Sequence, residues 1–192
     1  MGLKQTTAPT SEPITLTQVK DHLRIDDTNS DDELNVLLAA ARAHVESRTN
    51  RQLMIATWTL SFDKWPVGMT IDLPRPPLRS VTSVVYYDEN GASQTLAAAK
   101  YRVDTSAEPG RLVLDDDEDW PSLDVRPEAI TIVYDAGYDD AASVPDAAKV
   151  AALQLVGHWF ENREAVVFGG RHAILPWTVE ALVNQVKVPE VC

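Results

Sequence analysis

The stretch that most constrains this chain runs from Ser143 to Glu164, SVPDAAKVAALQLVGHWFENRE. Between Val150 and Phe160 only Gln154, Gly157 and His158 interrupt the apolar residues, and a helix apolar on every side is normally buried on every side. The pattern predicts the central helix of the fold, within residues 143–165. Ser143 is placed to cap it, Pro145 suits a first turn whose amides lack helical partners, and Asp146 favours the positive dipole end. Ala147, Ala148, Ala151, Ala152 and Gly157 let other helices approach, while Leu153, Leu155, Val156, Trp159 and Phe160 supply bulk. This is a packing element, and nothing in it requires chemistry.

A central helix needs partners, and the first half of the chain offers two. Residues 1–13 are rich in Thr, Ser and Pro without apolar periodicity and read as a flexible arm. Residues 14–52 read as the first part of a helical core. In ITLTQVKDHLRI, Thr15 and Gln18 form a capping box, Ile14 and Val19 a hydrophobic staple, and the helix should run to about Leu23. A second amphipathic helix, from Asp31 to about Thr49, carries Leu34, Leu37, Leu38, Ala41 and Val45 at helical spacing, with Ser30 and Glu33 as a second capping box. The acidic segment between them lacks the glycine and the glutamate that a calcium loop needs at its sixth and twelfth positions, so the acids are read as favouring the dipole of the second helix.

After Asn50 the periodicity changes to that of strands. Residues 53–142 read as an antiparallel β-region of six or seven short strands, forming a sheet or small sandwich. Trp58, Leu60 and Phe62 alternate with polar residues. Pro74 to Leu78 must be an edge or crossing segment, and Asn90-Gly91 signals a hairpin with a primed turn. The run Asp115, Asp116, Asp117, Glu118, Asp119 has no interleaved glycine or partnering histidine and reads as a solvated loop before a metal site. Residues 166–192 hold a loop centred on Gly169-Gly170 and a last helix from Pro176 to Lys187, with Val179, Leu182, Val183 and Val186 along one face. The fold class is therefore α+β: a helical bundle of two N-terminal helices, a long central helix and a C-terminal helix, with an inserted antiparallel β-region.

Several functions are disfavoured by composition. The 192 residues suffice for a domain that buries roughly 70% of its unfolded surface. A net charge of -12 is the wrong sign for gripping phosphates through counterion release. The single cysteine, Cys192, forbids an intrachain disulfide and reads as a tolerated terminal thiol. Neither a signal peptide nor a membrane span is apparent, which points to a protein made in the cytoplasm. His22, His44, His158 and His172 lack metal-ligand spacing, and no GxSxG, Walker A or GxGxxG occurs. No catalytic constellation, metal site or cofactor site is predicted.

The order of the motifs says more than any one of them. TLTQVKDHLRID, an acidic gap, DDELNVLLAAARAHVESRTNRQL, a W-x-L-x-F-D-x-W-P strand, LPRPPLRSVTSVVYYDENG, YRVD, RLVL, WP, ITIVYDAGY and VPDAAKVAALQLVGHWFENRE follow one another across residues 14–165. In that order they resemble the head-tail connector (adaptor) family of tailed phages, prophages and gene transfer agents. The resemblance implies a structural virion protein of the neck, made in the bacterial host. It implies a dodecameric ring under the portal protein, joining the DNA-filled head to the tail or to a tail-side stopper while DNA passes without specific binding. It also implies that the C-terminal segment, with Trp177, Val179, Leu182, Val183 and Val186, docks on the portal, although the same face could instead pack on its own core. Part of the acidic excess, Asp115 to Asp119, could line the DNA passage. Two other readings stay open: another neck or tail-completion protein, which would lack the paired N-terminal helices, and a small acidic hydrolase, which would need a cleft with perturbed acids.

Overall fold

The computed structural model describes residues 1–162 and 177–189. It divides into two compact units: Ser11–Met54 with Tyr138–Lys187 form a helical unit, and Met1–Thr10 with Ile55–Gly137 make up most of a β unit. The chain thus leaves the helical unit and returns to it, with the β unit inserted between.

In the helical unit, α1 (Leu16–Leu23) starts as its sequence demands. The Thr15 hydroxyl accepts from Gln18 N at 3.2 Å, and Thr15 N donates to Gln18 Oε1 at 2.9 Å, closing the capping box. Ile14 and Val19 are both buried, as a staple requires. Helix α2 (Asp31–Thr49) turns Leu34, Leu38, Ala41 and Val45 inward. Its Ser30 makes no side-chain cap, contrary to the second predicted box; Asp31, Asp32 and Glu33 face the positive dipole end, and Lys20 Nζ reaches Asp31 Oδ1 at 2.8 Å.

Helix α3 (Asp146–Glu161) is preceded by Pro145, not capped by Ser143. The Ser143 amide instead donates to Asp140 Oδ1 at 2.7 Å. Ala148, Ala151, Ala152, Leu155 and Val156 are buried, but Val150 is 40% exposed, so this helix is covered on one broad face rather than all round. Its small residues still serve the predicted purpose: α1, α2 and α4 (Trp177–Val186) all pack against it. The Gly169-Gly170 loop, Pro176 and His172 lie outside the described residues.

Eight strands build the β unit. Strands β1 (Gly2–Thr7), β2 (Ala56–Phe62), β8 (Ile130–Ala136), β4 (Leu78–Tyr87) and β5 (Ser93–Thr95) form one antiparallel sheet in that order. Strands β3 (Thr70–Leu73), β7 (Gly110–Leu114) and β6 (Tyr101–Asp104) form a second. The sheets share one core, in which Leu60, Val84, Ile130, Ile132 and Tyr134 of the first meet Ile71, Leu73 and Leu112 of the second, a small sandwich. Strand β8 alternates buried and half-buried residues along its length, the period a sheet face imposes. The prolines from Pro74 to Pro77 carry the chain from one sheet to the other, and the Tyr134 hydroxyl donates to Pro74 O at 2.9 Å. Gly110 is fixed by space: a Cβ there would lie 2.3 Å from that of Leu78.

Two expectations are corrected here. The first residues are not a free arm, because Gly2–Thr7 pair with β2 from Gly2↔Ser61 to Gln5↔Trp58, and after a bulge Thr7↔Thr57. Backbone hydrogen bonds at a sheet edge need little from side chains, so a polar sequence can supply them. Nor is Asn90-Gly91 a two-residue primed turn. Tyr87 pairs with Ser93, leaving five residues in the loop; of the Asn-Gly pair only Gly91 has positive φ. Asp88 organises the loop by accepting from Asn90 N at 2.9 Å, Ala92 N at 3.0 Å and Gln94 Nε2 at 2.9 Å.

Candidate interaction surfaces

The sequence leaves the apolar face of the C-terminal helix either for a partner or for the chain's own core. In this chain it lies on the helical core: Val179 is 2% and Val183 4% exposed, and Leu182 and Val186 pack beside them. Polar ties hold it there. Arg51 Nε donates to Val186 O at 2.6 Å, and Thr178 Oγ1 donates to Gln154 Oε1 at 2.9 Å. Val179 and Val183 are thus covered by this chain itself, and Leu182 and Val186 are half-buried beside them. Trp177 alone of the five stands in solvent, 87% exposed.

The acidic run follows β7. Arg102 Nε lies 2.6 Å from Asp115 Oδ1, and Lys100 Nζ lies 2.6 Å from Glu118 Oε2. Asp116, Asp117 and Asp119 are exposed. The run is thus part ion-paired and part solvated.

The sequence gives less warning of how the loop beyond this run is held. Trp65, in the β2–β3 connection, and Trp120 stack with ring centroids 4.3 Å apart. Arg126 lies 3.8 Å over the Tyr87 ring, and an open cavity of about 530 Å³ lies among Asp63, Lys64 and residues 123–127. Val67 and Val125 project fully into solvent from these two connections. The signal was present as two Trp-Pro dipeptides, Trp65-Pro66 and Trp120-Pro121, read singly rather than as a pair.

His22 and His158 fall on different helices, yet both line a groove of about 470 Å³ with Arg24, Gln154, Glu161 and Thr178. Among the described residues no three His, Cys, Asp or Glu side chains are grouped to hold a metal. Among the described residues Glu46 is the acid most removed from water. Burial raises its pKa, outweighing the Arg42 charge and the Leu53 amide that act to lower it. Its oxygens accept from Gln52 Nε2 at 2.6 Å, Leu53 N at 3.0 Å and Arg42 Nη1 at 2.9 Å. Arg42 Nε also donates to Glu12 Oε2 at 2.8 Å. This network ties the end of α2 to the chain on either side of it.

The model of the head completion protein family matches residues 12–178. This chain belongs to the head completion protein family. Its fold agrees with that. It resembles, at 24% identity and with 100% of this chain and 98% of the other covered, a chain in the virion of the native gene transfer agent particle, with a TM-score of 0.79. Chains in the neck of the empty particle, treated with C6 symmetry, and in the neck of the native particle, treated with C12 symmetry, share it at TM-scores of 0.77 and 0.73, each at 24% identity with 100% of this chain and 98% of the other covered. No curated protein matches. The family range takes in α1 to α3 and the β unit from β2 onward; β1 lies outside it, as does α4 beyond Thr178.

Proposed function

We propose that this head completion family member is the head-tail connector of a tailed phage, prophage or gene transfer agent. It forms a ring beneath the portal, receives the tail or a tail-side stopper on its other face, and lets DNA pass. The observation that carries the reading is the family match over residues 12–178, on a chain that has throughout its length the fold of a protein in the gene transfer agent virion. The twelvefold treatment of a related neck supports a ring of that order. Identical subunits in a ring meet through unlike faces, which a helical unit and a β unit can supply. Its role is structural rather than catalytic, and its place is the virion neck after synthesis in the host cytoplasm.

The charge fits passage of DNA rather than capture. A net charge of -12 repels packaged DNA, and Asp116, Asp117 and Asp119 are exposed and able to contribute. The helices α1 and α2 ahead of the β unit favour a connector over a stopper, in which such a pair is not expected. Portal contact is assigned to Trp177, since the remaining apolar face of α4 is covered.

Particles made without this chain test the reading. DNA-filled heads and separate tails should accumulate, and adding the purified protein should join them. A normal yield of tailed particles in its absence would contradict it.

A further inference from the structure

We propose that β1 is exchanged around the ring, so that Gly2–Thr7 of one copy of this chain pairs with the β2 edge of the next. The inference rests on the ring reading above and goes beyond it by naming a contact between neighbouring subunits.

Strand β1 belongs to the β unit almost wholly through its partner. Of its six residues only Leu3 is half-buried, opposite the fully buried Leu60. The other ties are also to β2: Thr6 Oγ1 and Thr59 Oγ1 lie 2.5 Å apart, and Ser61 Oγ donates to Gly2 O at 3.4 Å. Contacts of this kind are the same whether the strand comes from the same subunit or from its neighbour.

The tether that joins β1 to the helical unit is short. After β1 the chain is next fixed at Glu12, held by Arg42 at 2.8 Å, and at Ile14, which is 2% exposed. Between Thr7 and Glu12 run only Ala8, Pro9, Thr10 and Ser11, which extend over roughly 14 Å. Strand β2 is reached by a separate passage of chain, through Leu53 and Met54. Nothing else therefore has to move with β1. Short hinges that resist turning back favour exchange over closure, and Pro9 stiffens this one by fixing its φ.

The acceptor has a need of its own. Without β1, the edge of β2 carries unpaired backbone groups beside Trp58 and Leu60, a surface that joins other strands indiscriminately. Another copy's Gly2–Thr7 fits it with the register already fixed by Gly2↔Ser61 and the bulge before Thr7. Each subunit would give one strand and take one, the unlike-faced contact that a closed ring repeats. Held side by side, neighbours meet at a high effective concentration, so exchange requires no new interface.

The test uses disulfides across the paired Lys4 and Thr59 in a Cys192→Ser background. Subunits bearing Lys4→Cys are mixed with subunits bearing Thr59→Cys, assembled on the cognate portal and oxidised. Exchange predicts linked dimers from assembled rings and none from the unassembled mixture. Subunits carrying both substitutions should give a ladder of linked chains from the ring. Rings in which the double variant runs only as single, internally bonded chains would overturn the proposal. Native mass reports ring formation separately, and a failure to form rings would count against the connector reading itself and remove the exchange with it.

Discussion

Trp65 and Trp120 hold each other's loops: Trp65 Nε1 donates to Pro121 O at 2.8 Å, and Trp120 Nε1 donates to Gly68 O at 2.8 Å, across rings inclined by only 14°. Each indole thus satisfies a carbonyl next to the other while their faces exclude water. The irregular chain from Asp115 to Ala129 has other anchors too, among them Lys100 with Glu118, Arg126 on Tyr87, and the Asp124 amide donating to Tyr87 O at 3.0 Å. Replacing Trp120 by Ala should lower stability by about 2 kcal/mol, from lost apolar burial and lost ring pairing. It should also open residues 115–127 to limited proteolysis. Unchanged protease resistance would show that the loop is held by other means.

Glu46 predicts a pH dependence of definite sign. Burial raises its pKa in the folded chain above the reference value of 4.5, so the folded state binds its proton more tightly than the unfolded state. This group's contribution favours folding at low pH and declines as pH rises from about that reference through the folded value. In Glu46→Gln that decline is abolished, while weakened bonds to Arg42 and Leu53 cost roughly 1–3 kcal/mol overall. Denaturation of both proteins across pH 4 to 8 checks it: the difference in stability should narrow with rising pH, and a constant difference would contradict the assignment.

Trp177 and Val183 sit on one helix and should fail differently. Val183→Ala opens a cavity in the helical core and should cost roughly 2 kcal/mol of stability. Trp177→Ala should leave stability within about 0.5 kcal/mol. If the exposed indole is a central contact, portal affinity should fall about 30-fold, the effect of losing about 2 kcal/mol at an interface. Equal portal binding by Trp177→Ala and the wild type would remove Trp177 from the interface.

The acidic run separates into two groups. Replacing Asp116, Asp117 and Asp119 by Asn should leave folding intact, because these side chains are exposed. If they line the passage, DNA ejection from assembled particles should slow as repulsion from the wall is lost. Ejection at the normal rate would exclude the run from that role.

Where sequence was legible, one local pattern decided the structure. The capping box at Thr15 and Gln18, the staple of Ile14 and Val19 and the helical spacing of Leu34, Leu38, Ala41 and Val45 each act within a few residues, and each is found in place. The failures share a different cause. Strand β1 depends on backbone pairing with residues fifty or more positions away, which the composition of GLKQTT does not reveal. The Asn90-Gly91 signal was outweighed by Asp88, whose carboxylate gathers the loop's own amides and widens it. Val150 lies in an apolar run yet remains exposed, because periodicity cannot say which face finds a neighbour. The Trp65–Trp120 lock needs both Trp-Pro dipeptides brought together by the sandwich, so neither alone announced it. Of the surfaces, the α4 face was correctly read as apolar, but a face that suits a partner equally suits the chain's own core.

The account stands most directly on one measurement: native mass combined with negative-stain imaging over a concentration series, with and without the cognate portal. The connector reading predicts a closed ring on the portal of about twelve times the 21.2 kDa subunit mass. A chain that stays monomeric at every concentration and leaves the portal unchanged would contradict it.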